Sequence, residues 1–276
     1  MKTQTQPQIT GEFDWQMPKV IPSFVSGPDA QAVYELVKTL GSVGYDPQSR
    51  TMWGSNLPVA ASLDTKLREL GIGRVATLRD LSRPEVMEMI RDRFYTDSPT
   101  LVLRTTEDTY SPNNAVIQGL LPHIEQKQGA LKLPVMITGF DAVPTKRKEG
   151  YQFDIVPRDD FAVVHDARLA GSYDGKTFSE VDELGLPNFD KKGNRTLYTR
   201  NGLSMLYLYG NLNLGSYDED LADSFEGGRV VVIRGEADGA DLLNKYMAEV
   251  NAKYQRQKSE LSQRRDQALE ILRGNK

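Results

Sequence analysis

A period of two residues separates apolar from polar side chains between Gly202 and Gly235, and this pattern constrains the fold more than any other feature. The apolar positions are Leu206, Leu208, Leu212 and Leu214, and the alternating positions are Tyr207, Tyr209, Asn211, Asn213 and Tyr217. Successive side chains of a β-strand point to opposite faces. The segment is therefore predicted to form strands with a buried leucine face and an open face of tyrosine and asparagine.

The residue types on the predicted open face bear on its function. A half-buried antiparallel strand with a solvated face is the ordinary explanation of such alternation. This face, however, carries tyrosine, asparagine, glycine, serine and aspartate, with few lysines or glutamates. Those residue types dominate protein-binding loops, because tyrosine offers a large rigid contact and small polar residues adapt their hydrogen bonds. We therefore expect this face to bind a ligand.

The genetic code adds a second property of the segment. A set of its residues can be encoded by triplets that differ from an asparagine codon only where that codon carries adenine. These residues are Tyr207, Tyr209, Gly210, Asn211, Asn213, Gly215, Ser216, Tyr217, Asp218, Asp220, Asp223, Ser224 and Phe225. With its leucine frame, the stretch GLSMLYLYGNLNLGSYDEDLADSFEGGRVVVI resembles the variable region of proteins diversified by diversity-generating retroelements, and it looks most like the archaeal variable proteins. All residues of the set except Ser224 are predicted to form the ligand-binding surface.

The resemblance implies an α+β chain with a C-type lectin-like domain, because such retroelements copy an adenine-rich template with errors into the end of that domain. The resemblance places the lectin-like domain at 100–238, with its variable region at 203–228. Alternating helices and short strands predict an α/β extension at 1–99, and near-heptad apolar spacing predicts a C-terminal helix at 239–276. In this fold the last strand, here Arg229 to Ile233, pairs with a strand near the domain's start. The two candidates for that partner are Thr100 to Arg104 and Leu133 to Gly139.

Shorter patterns predict individual elements upstream of this segment. Apolar spacing predicts helices over 29–40, 62–70 and 114–128. Ser82 and Glu85 flank Pro84 in a pattern typical of a capping box that starts a helix. Two strands, at 153–156 and 161–165, are expected on either side of a turn, and residues 188–198 are expected to form a hairpin.

The chain lacks the residues of common catalytic and metal sites. It contains no cysteine, so it has no disulfides, no thiolate metal sites and no counterpart of the cysteine pair of the related formylglycine-generating enzymes. His123 and His165 stand in no catalytic or metal-ligand spacing. Paired carboxylates for glycoside hydrolysis are offered by the acidic cluster Asp218, Glu219, Asp220, Asp223 and Glu226. On a variable loop we expect these to be exposed and of ordinary acidity, and we predict no enzyme activity, metal or cofactor.

Charge and hydropathy limit the expected partners. A net charge of −4 gives no general attraction to nucleic acid, and binding to nucleic acid is not expected. No run of about 20 apolar residues is present, and the stretch MKTQTQPQITGEFDW lacks the apolar core of a signal peptide, so a soluble protein is expected. The prediction is a binding protein for variable protein or cell-surface ligands. The alternative is a structural or viral assembly protein that oligomerises through its C-terminal helix.

Overall fold

The computed structural model describes residues 21–234, except residues 29, 148, 172–174 and 218–219. These residues form a mixed α and β structure. Its helices are α1 (Ala30–Val37), α2 (Leu57–Glu69), α3 (Pro84–Ile90) and α4 (Ser111–Gln128). Its strands are β1 (Ile21–Phe24), β2 (Gly44–Asp46), β3 (Thr51–Trp53), β4 (Arg74–Val75), β5 (Thr96–Leu103), β6 (Val135–Pro144), β7 (Phe153–His165), β8 (Lys176–Val181), β9 (Pro187–Phe189), β10 (Arg195–Thr199), β11 (Leu203–Leu208), β12 (Leu214–Ser216) and β13 (Val231–Arg234). The C-terminal helix predicted at 239–276 lies outside the described residues.

A large sheet organises the structure. It has eight strands in the order β7-β6-β5-β11-β12-β10-β8-β9, and it is antiparallel except where β10 runs parallel to β12. A second sheet has the order β1-β13-β4, and β2 and β3 form a separate hairpin. The predicted α+β class therefore holds at the level of a mixed chain with a large, mostly antiparallel sheet.

Local signals explain where the helices begin and end. The Asn56 side chain accepts a hydrogen bond from the Val59 backbone N–H at 3.0 Å, and Pro58 occupies the first turn of α2. This cap starts α2 before the predicted position at Ser62. Helix α4 continues through Pro122 and ends at Gly129, which has a φ of 77°. None of the helices in the described ranges is both long and apolar enough to cross a bilayer.

Both faces of the central strands β5, β11 and β12 of the large sheet are buried. On one face, α2 packs against β5 and β6 while α4 packs against β7, and Leu101 of β5 belongs to this core cluster. On the other face, the neighbouring residue Val102 belongs to a cluster that also contains Val86 and Ile90 of α3. The first cluster also includes Val25. The predicted boundary at residue 100 thus falls inside β5, and side chains from both sides of it share one core.

The last strand has different partners from those predicted. Strand β13 pairs antiparallel with β1, with Phe24 opposite Val231, and with β4, where Val75 lies opposite Val232. Neither the segment Thr100 to Arg104 nor the segment Leu133 to Gly139 pairs with it, because these form β5 and β6 within the large sheet. The prediction of its partner was therefore wrong, and the last strand pairs with the first described strand instead.

Three local predictions are also corrected. Helix α3 has Arg83 rather than Ser82 as its N-cap, and the cap makes no side-chain hydrogen bond. The expected turn at 157–160 is absent, because these residues belong to β7, which runs unbroken along β6. The pairing of the two strands shifts register at this point, which indicates a β-bulge. The expected hairpin at 188–198 does not form, because β8 lies between β9 and β10 and pairs with both.

A buried carboxylate fixes the segment between β4 and α3. Asp80 is 1 % exposed and accepts hydrogen bonds from the guanidinium groups of Arg74 and Arg83 and from the backbone N–H and hydroxyl of Thr77. Burial acts to raise the pKa of Asp80, but the Arg74 guanidinium and the Thr77 donors outweigh it and hold that pKa at about 2.

We expect Asp80→Asn to lower the free energy of unfolding by about 2 kcal/mol or more at pH 7, because the depressed pKa measures stabilisation by the ionised carboxylate. This stabilisation is present above the unfolded pKa of about 4 and is lost as the pH falls through the folded value of about 2. Urea unfolding at several pH values should therefore show the two proteins converging in acid. A difference that stays constant down to about pH 2 would contradict this origin; Glu85→Gln, at an exposed carboxylate, is the control.

Candidate ligand-binding surface

The segment predicted to be variable, residues 203–228, is called the variable segment below. Its described residues form β11, a turn, β12 and a returning loop. Its alternating leucines are all buried in the cluster that contains α3, as the sequence predicted. These are Leu206, Leu208, Leu212 and Leu214. The opposite face points toward the cluster that contains α2 and α4, so the two faces of the segment meet different cores.

Three residues of the predicted ligand-binding surface are buried. Tyr207 is 2 % exposed, and Gly215 and Ser216 are also buried. Gly215 lies opposite Tyr207 in the β11–β12 pairing, and a Cβ at Gly215 would lie 2.3 Å from Cζ of the Tyr207 ring. The prediction that these residues are open was wrong: Tyr207 and Gly215 lie on the face that α2 and α4 cover, and Ser216, two residues after Leu214, lies on the leucine face.

Ser216 forms hydrogen bonds inside the protein instead. Its hydroxyl accepts a hydrogen bond of 2.9 Å from Nη2 of Arg104, and Ser204 Oγ accepts one of 2.9 Å from Nη1. Arg104 also donates from Nε to the Leu169 carbonyl at 2.6 Å. Burial lowers the pKa of Arg104 to about 10, which leaves the guanidinium charged at neutral pH. Arg104 therefore joins β11, β12 and the Leu169 segment from inside.

A cluster of tyrosines connects the buried and accessible parts of the segment. The Tyr207 and Tyr209 hydroxyls lie 2.7 Å apart, and the Tyr209 hydroxyl also bonds that of Tyr217. The Tyr207 and Tyr209 rings meet edge-to-face at 4.8 Å, and Tyr198 lies edge-on to Tyr217 at 6.3 Å. Tyr209 and Tyr217 are half-buried and Tyr198 is exposed, so the cluster reaches from the core to the surface.

The turn between β11 and β12 presents asparagines. Asn211 is exposed, and its Oδ1 accepts a hydrogen bond from the Asn213 backbone N–H at 3.1 Å. Asn213 is half-buried, and its Oδ1 accepts one from the Thr196 backbone N–H at 2.8 Å. The half-buried Gly210 accepts a hydrogen bond from the Asp92 backbone N–H at 2.8 Å. Both side chains thus help to hold the turn, and Asn211 is the more exposed of the two.

Two framework tyrosines hold the first part of the returning loop. The Tyr110 hydroxyl donates to Oδ2 of Asp220 at 2.8 Å, and the Leu221 backbone N–H donates to the Tyr151 hydroxyl at 2.8 Å. Burial raises the pKa of Tyr151, which keeps this hydroxyl protonated. Asp220 is half-buried. Its carboxylate therefore has a structural partner within the protein.

A third tyrosine and two residues before α2 hold the rest of the loop. The Phe225 backbone N–H donates to the Tyr95 hydroxyl at 2.7 Å, and Ser224 Oγ accepts from the Ser55 N–H at 2.8 Å. The Asn56 amide donates to the Ala222 carbonyl at 3.0 Å. These anchors were missed from the sequence, because each comes from a distant part of the chain and carries no local motif.

The loop still leaves side chains accessible. Phe225 is 63 % exposed and meets Tyr95 edge-on at 6.5 Å, and Asp223 is exposed. Asp218 lies outside the described residues, as does Glu219 of the predicted acidic cluster. Within the described parts of the chain, no group of three or more histidine, aspartate or glutamate side chains is placed to hold a metal ion.

Comparisons of the chain with protein-family models, with curated proteins and with solved structures gave no match.

Proposed function

We propose that this chain is a diversified ligand-binding protein that displays residues 203–228 as a variable surface on a C-type lectin-like scaffold. The observation that carries the proposal is the division of the segment into packed leucines and accessible polar or aromatic side chains. The accessible set is Tyr209, Asn211, Asn213, Tyr217, Asp220, Asp223 and Phe225. Protein or cell-surface molecules are the proposed ligands.

The anchoring of the loop supports this proposal. Backbone groups of Leu221, Ala222 and Phe225 are held by side chains outside the variable segment. Changing a side chain such as Phe225 leaves these bonds in place, so part of the loop conformation is set by the framework. Asp220 also holds the loop, because its carboxylate accepts from the Tyr110 hydroxyl and the Ala222 N–H. A loop that is already ordered loses little conformational entropy on binding. Aromatic side chains such as Phe225 and Tyr217 would supply most of the affinity, and the polar residues would tune specificity.

The pairing of β13 changes the extent of the proposed scaffold. The resemblance implies that the last strand of a C-type lectin-like domain pairs with a strand near the domain's start. Strand β13 pairs with β1 in this way. On this proposal the domain begins near Ile21 rather than at residue 100, and the helices α1–α4 belong to it.

Sequencing on both sides of the gene tests diversification directly. We expect a nearby reverse transcriptase gene and a near-repeat of the codons for about residues 203–234 that differs from them only at adenines. The absence of both would remove diversification from the proposal. The described accessible residues would then be an ordinary strand and loop surface.

A display experiment tests whether the surface tolerates variation and binds. One library randomises Asn211, Asp223 and Phe225, and a matched library randomises Tyr207, Gly215 and Ser216. We expect protease-resistant clones to be at least about tenfold more frequent in the first library, because exposed substitutions usually cost about 0.5 kcal/mol or less, whereas buried ones cost about 1–5 kcal/mol.

The first library is then selected against several unrelated protein ligands. We expect binders whose affinity is lost when the randomised positions are returned to the original residues. Equal protease resistance in both libraries would contradict the division into frame and surface. A well-folded library that yields no such binder would contradict ligand binding by this surface.

A further inference from the structure

A cavity of about 490 Å³ lies beside the turn of the variable segment. Its walls come from α3 and the residues flanking it, from β8, from the start of β10 and from the turn itself, where Leu212 contributes an apolar side chain. Met87 of α3 adds a second apolar wall. This volume lies within the range of pockets that hold small organic ligands.

Arg195 is the buried cation of this cavity. It is 7 % exposed, and its guanidinium lies 4.7 Å above the Phe178 ring. Its Nε donates to the Leu212 carbonyl at 2.7 Å, and its Nη1 makes a long contact of 3.4 Å with Ser82 Oγ. Its Nη2 has no hydrogen-bond partner among the described residues. A buried, charged donor without an acceptor is costly, so an anion at this wall would be stabilised.

Two exposed charged side chains also line the cavity. Arg91, at the end of α3, and Glu180, on β8, both line it. Together with Arg195 they give two positive charges and one negative charge, so the lining carries a net charge of about +1. A dianion would meet repulsion from Glu180, whereas a monoanion would match the net charge.

We propose that this cavity binds a small organic monocarboxylate, with the carboxylate held on the Arg195 side and the organic group against Met87 and Leu212. A guanidinium group presents donors in a planar fork that fits a carboxylate. The apolar walls favour an organic body over inorganic phosphate. The three charged residues lie outside residues 203–228, whereas Asn211 and Leu212 of the lining lie within them.

NMR titration of the full chain tests the proposal, with benzoate as the probe. Benzamide is the control for charge, because it is neutral and has nearly the same shape as benzoate. Inorganic phosphate is the control for the organic group, because it is an anion without one. We expect saturable shifts for benzoate at residues around the cavity, with binding at least about tenfold weaker for benzamide because it lacks the charge. Absence of saturable benzoate binding, equal binding of benzamide, or tighter binding of phosphate would overturn the proposal.

Two exposed substitutions should move the benzoate affinity in opposite directions. We expect Arg91→Gln to weaken binding by about twofold to fivefold and Glu180→Gln to strengthen it by a similar factor, the range of exposed charge pairs. Lys127→Gln changes the net charge as Arg91→Gln does, but Lys127 is exposed on α4 and does not line the cavity. The site is overturned if Arg91→Gln and Lys127→Gln have equal effects, or if neither substitution in the cavity changes the affinity.

Discussion

Replacing Tyr207 with alanine is expected to lower the free energy of unfolding by about 3–5 kcal/mol, the usual cost of truncating a buried aromatic side chain. The Tyr207 ring is 2 % exposed, packs edge-on against Tyr209 and occupies the space that Gly215 leaves open. Removing it leaves a cavity between strand and core and deletes the hydroxyl contact with Tyr209. Urea unfolding followed by circular dichroism measures the change.

Phe225→Ala is the matched control, because Phe225 is an aromatic residue of the same variable segment but is 63 % exposed. Its truncation should change the free energy of unfolding by about 0.5 kcal/mol or less. Leu208→Ala should cost about 2–5 kcal/mol, since Leu208 is fully buried. If Tyr207→Ala were as stable as Phe225→Ala, the result would contradict the burial of Tyr207 and favour the prediction that Tyr207 lies on an open face.

The alternation of side chains could predict the strands of the variable segment but not how much of each face is covered. A period of two residues states that two faces differ in polarity. It does not show what packs on the more polar face, which depends on α2, α4 and the returning loop. Tyrosine is also compatible with either outcome, because its ring can be buried while its hydroxyl finds a partner. Tyr207 makes that contact with Tyr209.

Pairing between distant strands was the least predictable part of the fold. The strand character of Val231–Arg234 is visible in the sequence, but its partners Ile21–Phe24 and Arg74–Val75 lie far away in the chain. The expected hairpin at 188–198 failed for the same reason. Strand β8 comes earlier in the chain and occupies the space between its two arms. Gly193 sits against the backbone of Phe178 in β8, a close approach that no local pattern reveals.

The sequence could predict the site residues only where the residue types of a loop favour exposure. Asn211, Asp223 and Phe225 are exposed as expected of a binding loop. The residues that hold this loop, such as Tyr95 and Tyr151, act through single hydroxyl groups on backbone atoms far along the chain. The sequence contained one signal of the buried residues of the variable segment. Glycine at 215, within a strand pattern, is typical of a close approach by another residue.

Replacing Arg104 with alanine is the second large change, with an expected loss of about 3–5 kcal/mol in the free energy of unfolding, because several buried acceptors lose a charged donor. Arg104 is 8 % exposed, and its acceptors in Leu169, Ser204 and Ser216 are also buried. Truncation leaves those oxygens without this donor, and hydrogen bonds to charged groups contribute about 1.5–3 kcal/mol each. The measurement is urea unfolding at neutral pH, with Arg91→Ala, at an exposed position, as the control that should change by about 0.5 kcal/mol or less.

A double-mutant cycle with Ser216→Ala separates the hydrogen bond from general loss of packing. Ser216→Ala alone is expected to cost about 1–3 kcal/mol, and adding it to Arg104→Ala should cost clearly less, because the bond between them is already gone. Arg104→Lys should lie between the original protein and Arg104→Ala, since lysine keeps the charge but lacks the planar fork. Fully additive effects would show that Arg104 and Ser216 stabilise the fold separately. The cost of Ser216→Ala would then come from its hydroxyl contact of 2.9 Å with Ser204 Oγ rather than from Arg104.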